Sequence, residues 1–133
     1  MTRFVDTNVF IYALTAHPHF GKKSKNILER IEKGEVAVTS TLVLCEVAWV
    51  LEAMGKQGNS KPTLEKITSY KSLTVVDFSG DDLLMGANNM TAESIDFNDG
   101  VNLALMRRLD VSEVYSNDQK HLGKLEFLKL VFE

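Results

Sequence analysis

Cysteine is almost absent: Cys45 is the only one in 133 residues. It lies inside an apolar pattern without an intrachain partner, so no disulfide framework holds this chain, and Cys45 reads as a buried packing thiol. A reduced, cytoplasmic setting is expected. No Cys/His cluster occurs, which argues against structural zinc. No apolar run approaches the ~20 residues of a membrane helix. Asp6 and Asn8 break the apolar start at once, so no secretory signal is expected either. Positive charge is not in excess: the net charge of −3 does not advertise a nucleic-acid binder. Divalent metals can offset clustered carboxylates, however, and a local basic strip can carry backbone contacts. Repeats, low-complexity tracts and linkers are missing as well. What remains is an ordinary globular composition, 44% apolar and 25% charged. A single domain over residues 1–133 is expected.

Short apolar runs alternate with helical patterns. Phe4-Val5 reads as a strand that reaches Asp6, with Thr7 or Asn8 capping a helix to Leu14. His17-Pro18-His19 breaks that helix and reads as an exposed loop. A surface helix follows over about 21–33, with Ile27, Leu28 and Ile31 inward, lysines outward and Gly34 at its end. Glu35 to Thr39 is a second strand. The helix from about Leu42 to Met54 is apolar nearly all round and is expected to be largely buried. Gly55 to Ser60 is a loop, and Ser60 a candidate cap for a helix to about Ser72. Leu73 to Phe78 supplies a third strand, ended by Asp77. Ser79-Gly80-Asp81-Asp82 caps a helix carrying Leu83, Leu84, Ala87 and Met90. Another helix runs from about Phe97 to Leu109, and Val114 to Ser116 and Leu128 to Phe132 are the last strands. This alternation favours right-handed βαβ units in a three-layer α/β/α fold, with a mainly parallel sheet of four to five strands.

Four acids stand out. Asp6 and Asp118 follow strands at their carboxyl ends, where open α/β sheets form ligand crevices. Glu46 interrupts an apolar helix, and burying a carboxylate costs several kcal/mol unless something compensates. Near the start of the helix from Phe97, Asp99 falls roughly 20° beyond the inward arc and Asp96 about 60° further out. Asp99 is thus the candidate at the core margin and Asp96 the better cap. The acids at 81 and 82 are explained by capping alone. His121 reads as a surface or packing residue, and Lys22, Lys23, Lys25 and Arg107-Arg108 as solvated helix faces. Four converging carboxylates would repel one another. Oxygen-only ligation suits Mg²⁺ or Mn²⁺, and such ions activate water and stabilise charge in phosphodiester displacement.

In order along the chain, Val5-Asp6-Thr7-Asn8, Glu46 in its apolar helix, Asp96 to Ala104, and Tyr115-Ser116-Asn117-Asp118 resemble the four motifs of PIN-domain nucleases. Nearly the whole chain is covered, and at this size it is most similar to VapC toxins, the ribonuclease halves of type II toxin–antitoxin pairs. The resemblance implies a PIN-like fold and Mg²⁺-dependent endonucleolytic cleavage of RNA. It implies Asp6 and Asp99 as main metal ligands, with Glu46 and Asp118 completing the pocket. Thr7, Asn8 and Ser116 would orient carboxylates or water, and Asp96 competes with Asp99 for the metal. A homodimer inhibited by a small VapB-like antitoxin is implied too. Gly100 stands where the family often has alanine, which weakens the helix start slightly. The same fold also serves RNA processing and quality control, and a non-catalytic PIN-like module is a further reading. An aspartate-nucleophile phosphatase, resembling haloacid-dehalogenase-like enzymes, would need a second aspartate at position 8, where this chain has Asn8.

Overall fold

The computed structural model describes residues 2–133, so Met1, the start of the expected 1–133 domain, lies outside the described residues. The elements are β1 (Arg3–Val5), α1 (Thr7–Leu14), α2 (Gly21–Glu32), β2 (Ala37–Ser40), α3 (Thr41–Ala53), α4 (Ser60–Ser69), β3 (Leu73–Val76), α5 (Gly80–Glu93), α6 (Phe97–Arg108), β4 (Glu113–Tyr115) and β5 (Lys129–Val131). The strands form one parallel sheet in the order β3-β2-β1-β4-β5. Phe4 of β1 sits in register with Val38 on one side and Val114 on the other. All three are buried, as befits a sheet covered on both faces. From β1 the chain steps outward to β2 and β3, then crosses back past β1 to β4. Right-handed crossovers therefore place α1 to α4 on one face and α5 with α6 on the other. The packing agrees: α1 meets α2 and α3, α3 meets α4, and α5 lies along α6. The strand order reverses at β1, which opens a crevice between the carboxyl ends of β1 and β4.

Several local expectations are corrected. The apolar helix α3 is not buried all round. Leu42, Val43, Val47 and Leu51 pack inward, but Trp49 is 58% exposed. Cys45 is exposed as well, so it is not a packing thiol. One helix face reaches the sheet, and among the described residues no further layer covers the other. In α4 Ser60 is the first helical residue rather than the cap, and a short 3₁₀ turn over Gln57–Asn59 leads into it. Phe97 and Leu109 stay partly exposed at the two ends of α6.

Helix α5 also differs from its apolar pattern. Leu84, Met85 and Met90 face outward, whereas Asp82, Gly86 and Asn89 are buried. The reason is the approach of two backbones. A Cβ on Gly100 of α6 would stand 2.4 Å from the Gly86 carbonyl oxygen. Across this contact Asn89 Nδ2 donates to the Gly100 carbonyl (2.9 Å), while Arg107 Nη1 donates to Asn89 Oδ1 (3.1 Å). Gly100 therefore offsets its cost to the helix start by permitting the crossing that holds α6 in place. Alanine at position 100 would gain ~1 kcal/mol of helix propensity. It would also meet a backbone oxygen that no side-chain rotation can move, and overpacking costs ~1–3 kcal/mol or more. The clash wins. Gly100→Ala is expected to lower the thermal midpoint by roughly 3–10 °C, read by calorimetry; an unchanged or raised midpoint would refute the close crossing.

Candidate active site

Asp6 leaves β1 in extended geometry and is itself the N-cap of α1, in place of Thr7 or Asn8. Its Oδ1 accepts from the Thr7 N–H (2.8 Å), and its Oδ2 accepts from Ser116 Oγ (2.8 Å). The Asp6 N–H continues the sheet by donating to the Tyr115 carbonyl at 3.1 Å. One residue thus ends the strand, starts the helix and ties β1 to the segment after β4. Burial pushes its carboxyl above the ordinary range; the bonds from Ser116 and Thr7 pull it down, and the charges of Asp118 and Asp96 push it up again.

The other acids come from separate elements. Glu46, on α3, accepts from Thr7 Oγ1 (2.9 Å). Burial raises its proton affinity, and the charge of Asp6 adds to this. Asp96 is exposed and caps α6, its Oδ1 accepting from the Asp99 N–H at 2.9 Å. Asp99 is strongly perturbed: burial, then the charges of Asp6, Asp96, Glu46 and Asp118, raise it from 3.8 to about 8. Asp118 follows β4 on a turn, where its Oδ1 meets the His121 N–H (3.2 Å) and ring Nδ1 (3.0 Å). The sequence-derived set is therefore brought to one end of the sheet, with Asp96 at the rim.

A polar scaffold holds the two strand ends together. Ser116 Oγ, which donates to Asp6, also accepts from the Asp118 N–H at 3.1 Å. Asn8 Nδ2 donates to Asn117 Oδ1 at 2.9 Å, and the Tyr12 hydroxyl reaches the same oxygen at 3.3 Å. At the end of β2, Ser40 caps α3 through the Val43 N–H (3.0 Å) and donates to Asn102 Oδ1 on α6 (2.7 Å). Sequence reasoning missed Tyr12, Ser40, Asn102 and Asn117 as parts of this scaffold. Only Asn102 carried a signal, a polar residue amid the apolar arc of α6; it is 3% exposed.

Whether a metal fits can be judged from the donors. Among the described residues, no three Asp, Glu, His or Cys groups already stand close enough to hold an ion. No lysine or arginine pairs with Asp6, Glu46, Asp96 or Asp99 among the described residues. The Asp99 carboxylate accepts no hydrogen bond there. The donor set is all oxygen, and among the described residues only His121, beside Asp118, could offer it a counter-charge, which suits a hard divalent cation. Some inward movement of the acids is needed for it to close on one.

Asp99 binds its proton more tightly folded than unfolded, so its protonation favours the folded state. Without metal, stability should fall as pH rises from about 4 towards 8. In chelator the thermal midpoint of the wild type is expected to drop across this window. Asp99→Asn should flatten the decline and raise the midpoint at pH 8 by several degrees. A pH-independent wild type would show that the acids do not crowd one another.

A family model described as the PIN domain matches residues 3–128. No curated protein sequence matches the chain. Among solved structures, the chain is similar to VapC20 from Mycobacterium tuberculosis, described as a Sarcin-Ricin loop cleaving toxin, with 18% identity, 92% of this chain and 94% of that chain covered, and a TM-score of 0.77. It is similar as well to VapBC2 from Rickettsia felis, solved on a promoter DNA fragment, with 22% identity over 98% of both chains and a TM-score of 0.73. The DNA-bound VapBC of Salmonella typhimurium gives 15% identity over 98% of both chains and a TM-score of 0.69. At these identities the solved structures speak for the fold, a five-stranded parallel sheet flanked by helices. With the family model spanning nearly all of the described chain, the protein belongs to the PIN domain family.

Proposed function

We propose that the protein is a metal-dependent endoribonuclease, the toxin of a VapBC-like pair, acting in the cytoplasm as one catalytic unit over residues 1–133. The observation that carries the nuclease reading is the crowding of Asp6, Glu46, Asp99 and Asp118 at the β1/β4 switch point, with no basic side chain paired to the first three among the described residues. On this reading Asp6 and Asp99 are the main ligands of Mg²⁺ or Mn²⁺, with Glu46 and Asp118 completing the set. A bound ion of this kind supplies an activated water and charge stabilisation for cleaving a phosphodiester. The remaining work belongs to side chains. Thr7 fixes Glu46, Ser116 fixes Asp6, Asp96 orients the first turn of α6 that carries Asp99, and Asn8 secures the turn that carries Asp118.

Antitoxin recognition is supported by the VapBC complexes among the similar structures and by a groove of about 470 Å³ between α1, α2 and α4. Phe10, Leu14, Leu28, Ile67 and Tyr70 line its apolar part. A homodimer is supported by the exposed Trp49, Leu84, Met85 and Met90. The phosphatase reading loses ground, because both Asp6 oxygens already accept hydrogen bonds and position 8 is an amide.

Asp6→Asn or Asp99→Asn is expected to reduce Mg²⁺-dependent cleavage of RNA on the order of 10²-fold or more while the fold survives, measured with labelled transcripts and circular dichroism. Full activity in chelator, or in both variants, would end the metal-nuclease reading. For the toxin role, growth arrest on expression, relieved by the product of a short neighbouring reading frame, is the expected outcome. Normal growth of cells making active nuclease would point to RNA processing or quality control instead.

A further inference from the structure

The acidic crevice repels the phosphates it would act on, so an RNA strand needs positive charge and binding surface elsewhere on the same edge of the sheet. The turn between α1 and α2 stands on that edge. Tyr12 touches Asn117, which follows β4, and its ring lies 6.2 Å from that of Phe132, which follows β5. Phe20 is 5.8 Å from the same Phe132 ring. The turn is thus held over the carboxyl ends of β4 and β5, where Asp118 also emerges.

On this support the rings continue outward. His17 stacks on Phe20 with centroids 4.9 Å apart and an angle of 21°, and His19 lies 6.0 Å from His17. His17 does not rotate freely, since its Nδ1 accepts from the N–H groups of His19 (3.1 Å) and Phe20 (3.2 Å). His19 is exposed, so packing does not account for it. Directly after the rings come Lys22 and Lys23, both exposed and without an ion pair among the described residues. The first turn of α2 contains no acid. His17, Lys22, Lys25 and Asn26 line an open cavity of about 340 Å³ beside the turn, with Glu29 the one acid in its lining.

We infer that the segment His17–Lys23 is a stacking platform for an unpaired base of single-stranded RNA, with Lys22 and Lys23 taking the adjoining phosphates; this rests on the nuclease reading above. Flat rings suit a single strand because its base faces are free, whereas those of a duplex are stacked on one another. The platform places the strand so that it continues past Asn117 to Asp118. It also resolves the mismatch between a net charge of −3 and a polyanionic substrate, because the positive charge is local.

The test is fluorescence anisotropy of a labelled single-stranded oligoribonucleotide carrying 2-aminopurine, in chelator and again with Ca²⁺. His19→Ala is expected to weaken binding about five- to hundredfold and to abolish 2-aminopurine quenching. His19→Tyr should restore both. Lys22→Glu with Lys23→Glu should flatten the salt dependence of log K by ~0.7 for each phosphate that is no longer neutralised. Equal affinity and quenching in His19→Ala, or a duplex bound as tightly as the single strand, would overturn the platform. Failure of the two ideas is separable. A wild type that cleaves RNA with Mg²⁺, with His19 and lysine variants unchanged in binding, removes the platform alone. A wild type that binds and quenches the probe through His19 but cleaves no RNA with Mg²⁺ or Mn²⁺ removes the nuclease alone.

Discussion

Mutual repulsion of carboxylates is the constraint around which this structure is arranged. Burial raises the proton affinity of Asp6, Glu46 and Asp99, and the negative charges of their acidic neighbours, Asp96 and Asp118 among them, add to the effect. A folded chain gains nothing by gathering these charges. It tolerates them because all but Asp118 are held by elements whose own stability lies elsewhere: a central strand, an apolar helix, and a helix locked to its neighbour by a backbone contact.

The topology explains why so few residues suffice. At β1 the strand order reverses, so two strand ends face the same crevice. Asp6 closes one and Ser116 the other, and the 2.8 Å bond between them is also the seam of the site. Helix α6 approaches from the opposite layer, and its position depends on Gly86 and Gly100, far from any chemistry in kind though Gly100 is adjacent in sequence to Asp99. The same sheet edge carries the α1–α2 turn through Tyr12 and Phe132.

Much of this is legible in the sequence, for identifiable reasons. Alternating short strands and helices announce the parallel sheet, and a glutamate within an apolar helix announces a compensated burial. Thr7 provides part of that compensation. What stays hidden depends on tertiary proximity. Asn117 and Tyr12 meet across 105 positions, and Ser40 and Asn102 across 62. Periodicity likewise cannot tell whether an apolar face finds a cover within one chain, which is why the pattern puts Trp49 and Cys45 inside and the fold leaves them outside. Asp6 as cap is masked by Thr7 and Asn8, both good capping residues themselves.

Two aspartates show how one helix position leads to opposite electrostatics. Asp82 and Asp99 occupy the same local position, the third residue of a helix whose N-cap, Ser79 or Asp96, bonds their backbone N–H. Their side chains then diverge. Asp82 turns back to accept from the Ser79 N–H (2.8 Å) and meets Arg108 Nη2 (3.1 Å). Burial pushes its carboxyl up, but these bonds outweigh it and leave it below the ordinary range. Asp99 turns away from its cap, finds no donor among the described residues and is raised to about 8. Position within the helix does not separate the two; in the sequence only the projection of Asp99 to the edge of the apolar arc does. The reciprocal bond that would stabilise α6 is forgone at Asp99 in favour of an unpaired carboxylate among others of its kind. That loss has no return in folding energy, and a cation bound there, as the proposed function requires, would offset it.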